Sequence, residues 1–165
     1  MSMTRRILRS WRAPRAVMRD LLAAGLREDR AFAMLFVASL LIFVAQLPRL
    51  ARQAHFDPSV PLDARIGGAM MGIMFLFPLF AYLIAALSHL IARMFGGKGS
   101  FYTARVALFW SLLATAPLML FQGLVAGFIG QGPQAMLVGG LIAFGFAWQW
   151  GNALSVAESA DAVVA

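Results

Sequence analysis

From Ala31 onward the chain is a succession of long apolar runs separated by short polar punctuation. The first run, Ala31 to Leu47, is closed by Arg30 on one side and by Pro48-Arg49 on the other. The second lies between Arg65 and Arg93, with no formal charge over residues 66 to 92. A third extends from Val106 to Gly130, with Pro117 near its centre, and a fourth from about Gln134 to Val156. The hydrocarbon core of a bilayer is about 30 Å thick and takes about 20 apolar residues of helix, so each run is read as a membrane span. The first run is at the short end of that range and needs some extension to cross. The second would extend about 40 Å as one helix, so it must tilt, bend or emerge, and Pro78 is where a bend is expected. GQGP at residues 130 to 133 reads as a tight uncharged turn, which makes the last two spans an antiparallel hairpin. The expected fold is therefore an all-α polytopic bundle of four transmembrane helices.

Upstream of the runs the pattern changes. Ile7, Leu8, Trp11, Val17, Met18, Leu21 and Leu22 recur at helical spacings among arginines, and Pro14 divides the stretch. Proline is tolerated in the first turn of a helix, so residues 14 to 26 are expected to form an amphipathic helix on the membrane surface, ending near Gly25. No 7–15-residue apolar segment with a small-residue cleavage site follows the basic N-terminus, so a removable signal peptide is not expected. Three segments result: a basic cytoplasmic amphipathic segment at residues 1–30, a four-helix membrane domain at 31–158 and a short tail at 159–165.

Composition strengthens the membrane reading. The 165 residues are 61% hydrophobic and 13% charged, whereas soluble domains are roughly 45–50% apolar and about 25% charged. The formal charge of +7 is concentrated at one end. Eight arginines fall in the first thirty residues, and no aromatic-studded soluble platform accompanies them. Such a segment beside a span is read as attracted to anionic lipid rather than to nucleic acid, with Arg5, Arg6, Arg9, Arg12, Arg15 and Arg19 as the contacts. With the N-terminus inside, Arg93, Lys98 and Arg105 join those arginines, against Arg49, Arg52 and Arg65 outside. The positive-inside rule then places both termini in the cytoplasm. Trp110, Trp148 and Trp150, near span ends, are read as interfacial anchors.

Candidate chemistry is sparse. There is no cysteine, which excludes disulfides, thiolate metal sites and a thiol nucleophile. No GxSxG, HExxH or phosphate-loop motif occurs. Gly96-Gly97-Lys98-Gly99-Ser100 only resembles a phosphate loop and is read as a connection. His89, one turn before Arg93, is read as an interfacial or packed histidine, and His55 is too distant for a shared metal site. The spans contain no central acid or base, which argues against an ion- or proton-driven carrier. No catalytic residue, cofactor or metal is assigned. What stands out is small residues at four-residue spacing: Gly68 and Gly72, then Gly123 and Gly127, then Gly139, Ala143, Ala147 and Gly151. In lipid such residues let helix backbones approach closely, so they mark packing seams within the bundle or an interface with a partner.

The segment Ile91 to Leu118, IARMFGGKGSFYTARVALFWSLLATAPL, resembles the Yip1 domain family. In that family a span ends in a connection like GGKGSF, and the next span leads through small residues to a mid-helix proline, here Ala114-Thr115-Ala116-Pro117. The resemblance implies a helical membrane domain, usually of five spans where this chain counts four. Eukaryotic members act in vesicle traffic with small GTPases, and bacterial members have largely unknown roles. The arginine- and alanine-rich composition reads as bacterial. The expectation is a non-enzymatic, multi-pass protein of a bacterial inner membrane. It would act as an accessory or scaffolding subunit through helix–helix and lipid contacts, as a homo-oligomer or within a larger membrane complex. The alternative is a small oligomeric channel or permease for a neutral solute, suggested by Pro78, Pro117 and the polar Gln122 and Gln149.

Overall fold

A computed structural model describes residues 3–130 and 132–159. All secondary structure in the described residues is helical. Two short helices, α1 (Met3–Arg12) and α2 (Pro14–Leu22), precede the long α3 (Glu28–Phe56). Next come α4 (Leu62–Met71), a π-helical turn at Gly72–Leu76, and α5 (Phe77–Met94), which form one continuous stretch. The chain finishes with α6 (Phe101–Phe128) and α7 (Pro133–Ala157). Nearly all of the 159–165 tail lies outside the described residues.

Three stretches are long and apolar enough to cross a membrane: α3 with 29 residues, the α4–α5 stretch with 33 and α6 with 28. The chain is thus a multi-pass membrane protein. α7, the expected fourth span, has 25 residues, and Gln149, Asn152 and its glycines dilute its apolar character. The first span departs from its expected end, because α3 passes straight through Pro48 to Phe56. A proline inside a helix removes one donor, and membrane helices tolerate this where neighbours pack against the site. Here Gly127 of α6 lies directly against Pro48. Arg49 and Arg52 therefore project from a helix rather than from a loop.

Just before Pro78, where a bend is expected, the helix runs on but carries a π turn. Phe77 N–H reaches back to the Gly72 carbonyl, an i to i−5 bond. The helix loosens into a π turn before the proline, which relieves the clash with the carbonyl four residues back.

α6 is the axis of the fold. It packs along α3, α5 and α7, and almost every residue from Tyr102 to Ala116 is buried. α1 and α2 complete this core rather than standing apart. Val17, Met18, Leu21 and Leu22 are buried in the same cluster as Leu35, Phe109 and Ala153. Arg9 pairs with Asp20 at 2.8 Å, closing the two short helices on each other. Gly25 takes a positive φ of 81°, which permits the sharp exit from α2. Tyr102 then fastens that exit, accepting from Arg27 N–H at 3.0 Å and donating to the Gly25 carbonyl at 3.3 Å.

Candidate functional site

The glycine-rich connection is built around a buried carboxylate. α5 ends where Gly96 adopts φ 89° and the Gly97 N–H returns to the Ala92 carbonyl at 2.9 Å. Ser100 then caps α6 reciprocally. Thr103 N–H donates to Ser100 Oγ at 3.2 Å, and Ser100 N–H donates to Thr103 Oγ1 at 2.9 Å. Into the bend between these helix ends comes Glu158, from the end of α7. One of its oxygens lies 2.8 Å from His89 Nδ1, and the other accepts from Gly99 N–H at 3.2 Å. Lys98 N–H donates to the Glu158 main-chain carbonyl at 2.9 Å. A Cβ at Gly97 or at Gly99 would fall 2.8 Å from the carboxylate. Glycine is thus required at both positions for the acid to enter.

Both partners are nearly inaccessible, with the His89 side chain 4% and the Glu158 side chain 8% exposed. Phe101 meets the imidazole edge-on at 4.6 Å between ring centres. A buried charged or polar group without a partner is costly, so the pair and its backbone donors act as a latch joining α5, α6 and α7. The packed reading of His89 agrees with this placement. Glu158 was the missed member, because nothing in its sequence neighbourhood shows that it folds back over sixty residues of chain. Among the described residues no group of three or more His, Asp or Glu side chains is arranged to hold a metal. His55 lies at the end of α3 beside Phe56.

A second polar cluster fixes the N-terminal helices. Ser10 is fully buried and accepts from Trp110 Nε1 at 3.1 Å and from the Gln149 side-chain amide. Trp11 Nε1 donates to the Ala114 carbonyl at 3.3 Å, and its ring lies over Gly145. Arg15 Nε donates to Asn152 Oδ1 at 2.9 Å. Trp110 is therefore enclosed by α1 rather than placed at an interface, whereas Trp148 remains exposed. Gln149 is equally enclosed. Arg5, Arg9, Arg12, Arg15 and Arg19 face outward, and Arg6 is half-buried.

The small-residue positions separate into two groups. Gly123 and Gly127 lie under Ala45 and Pro48 of α3, so close that added Cβ atoms would collide with that helix. Gly139 faces Gln122 across the α6–α7 hairpin. Gly68, Gly72 and Gly151 have open space where a Cβ would be, and Ala143 and Ala147 are exposed.

The connection, its buried acid and the central α6 all fall within a single family match. The Yip1 domain model matches residues 8–163, nearly the whole chain. The chain belongs to the Yip1 domain family. No curated protein and no solved structure gives a significant match. The Yip1 assignment covers the N-terminal helices from Leu8 onward as well as the spans, consistent with α1 and α2 sharing the core.

Proposed function

We propose that this Yip1 domain protein is a non-enzymatic accessory or scaffolding subunit of a bacterial inner membrane, acting through helix–helix and lipid contacts. In this reading α7 is a fourth span, and both termini are cytoplasmic. Residues 1–30 form a basic amphipathic segment whose arginines meet anionic lipid, and 31–158 form the membrane domain. The observation that carries the reading is the small-residue face along α4 and the start of the π turn, where Cβ atoms added at Gly68 and Gly72 would meet nothing among the described residues. In lipid, association between helices depends on close packing, which such residues permit. The outward Ala143, Ala147 and Gly151 of α7 offer a second face of the same kind.

A single chain offers little support to the channel alternative. Phe77 and Leu112 are among the walls of the groove bordered by Gln122, and Phe109, Trp110 and Ala85 are fully buried. A pore would need a path between copies.

The test is affinity capture of the tagged full chain from its native membrane in mild detergent, followed by native mass determination. A stoichiometric complex should appear, and Gly68→Leu with Gly72→Leu should abolish it while the monomer stays folded. Recovery of a lone monomer at native expression would sink the proposal.

A further inference from the structure

The half of the bundle near the α6–α7 turn holds a feature that a scaffolding role leaves unused. Arg52 is accounted for there, because it donates to the Gly127 and Phe128 carbonyls at 3.3 and 3.1 Å and so caps the end of α6. Arg49, one turn earlier, is not. Its Nε is shielded from solvent and has no hydrogen-bond partner among the described residues. It makes no ion pair among them either. A guanidinium is charged under all ordinary conditions, and a shielded N–H of a charged group without a partner is costly. Helical side chains lean toward the N-terminus of their helix, which aims Arg49 back along α3 into the bundle.

Three cavities meet at that side chain. One of about 330 Å³ lies between α3, α5 and α6 and is bordered by Gln46, Arg49 and Gln122, with Ile42, Phe77 and Leu112 as apolar walls. A second, about 590 Å³, runs between α6 and α7 past Gln122, Met136 and Gly139. The third, about 320 Å³, opens toward Arg52 and Arg65. The one acid bordering that third cavity, Asp57, is paired with Arg65 at 3.0 Å rather than with Arg49. Hydrogen bonds from Ser59 and a contact with Arg65 hold its carboxyl below the usual carboxylate range. The site thus offers a cation and two amides, while its deeper walls are apolar.

We propose that the groove between α3, α6 and α7 binds a phosphate oxyanion, supplied by the headgroup of an anionic phospholipid. The Arg49 guanidinium takes the phosphate oxygens, and Gln46 and Gln122 donate from either side. An acyl chain follows the apolar channel over Met136 and Gly139. Arginine suits this role because its planar fork matches phosphate geometry. The site is separate from the N-terminal arginines, which α3 and α6 do not bring to this groove.

The experiment is native mass spectrometry of the full chain titrated with phosphatidylglycerol, with phosphatidylcholine and with inorganic phosphate. The first phosphatidylglycerol should bind saturably and about tenfold more tightly than phosphatidylcholine, the scale of one charge-assisted contact set. Arg49→Gln should remove that preference, whereas Arg93→Gln, an exposed charge in the last turn of α5 away from this groove, should leave it intact. Binding is read here on the isolated chain, so failure of this site is distinguishable from failure of the scaffolding proposal, which is read on a captured complex. Equal binding of the two lipids by the native chain would overturn the proposal without reference to any variant. Retained preference in a folded Arg49→Gln protein would do the same. Displacement of phosphatidylglycerol by millimolar inorganic phosphate would overturn the lipid as occupant and assign the site to a free anion.

Discussion

Gly123 and Gly127 in α6 share their four-residue spacing with Gly68 in α4 and Gly72 at the start of the π turn, but the two pairs occupy opposite surroundings. The first pair lies beneath the backbone of α3, and the second has open space where side chains would be. The helices differ in the same way, with 56% of the apolar stretch of α6 buried against 11% of that in α4–α5. Equal spacing therefore marks a capacity for close approach, and the rest of the fold decides whether the chain itself uses it. What separates the pairs is the neighbour. α3 passes Pro48 without breaking and so presents Ala45 and Pro48 along the length of α6.

The strongest way to break this comparison is Gly123→Leu. The new side chain would meet the Ala45 carbonyl rather than a flexible side chain, so the cost should reach or exceed about 3 kcal/mol, the upper part of the overpacking range. Loss of a cooperative thermal transition in detergent is the expected result. A native-like transition would mean that α3 and α6 do not meet as described.

A smaller effect is expected at the latch, which holds the ends of α5 and α7 to the start of the tightly packed α6. Glu158→Ala leaves the buried His89 and the Gly99 N–H without their acceptor, at a cost of roughly 1–3 kcal/mol. The melting temperature should fall, and hydrogen exchange should rise at residues 96–100. If exchange there is unchanged, the carboxylate does not hold the connection.

The smallest effect sharpens the contrast. Gly68→Ala adds a methyl to open space and removes a poor helix former, so the isolated chain should gain up to about 1 kcal/mol. Destabilisation of the isolated monomer would show that this face is covered within the chain after all.

Much of the architecture was legible because hydropathy reports on solvent. The second, third and fourth apolar runs fall within long helices near their expected positions, with α6 ending at Phe128 and α7 starting at Pro133. Hydropathy does not report on neighbours, and that is where the reading ended too early. Pro48-Arg49 has the local appearance of a terminus, but α3 continues past it with Gly127 packed on Pro48. Arg49 was therefore counted as a loop charge. Likewise, the apolar face of residues 17–22 was assigned to lipid, because sequence alone cannot distinguish a bilayer from the side of another helix. Ser10 shows the same limit, since the groups that donate to it, on Trp110 and Gln149, lie 100 and 139 positions away along the chain.

The π turn at Gly72–Leu76 has a consequence for anyone reading faces along this stretch. A π turn accommodates one residue more than the helix around it, so α5 is rotated by about 100° relative to a straight continuation of α4. Helical periodicity thus suffers a frameshift just before Pro78. A stripe projected at constant spacing from Gly68 through Gly72 would land on the wrong flank once it passed Phe77. The stretch is better treated as two rulers laid end to end, the second turned on its axis.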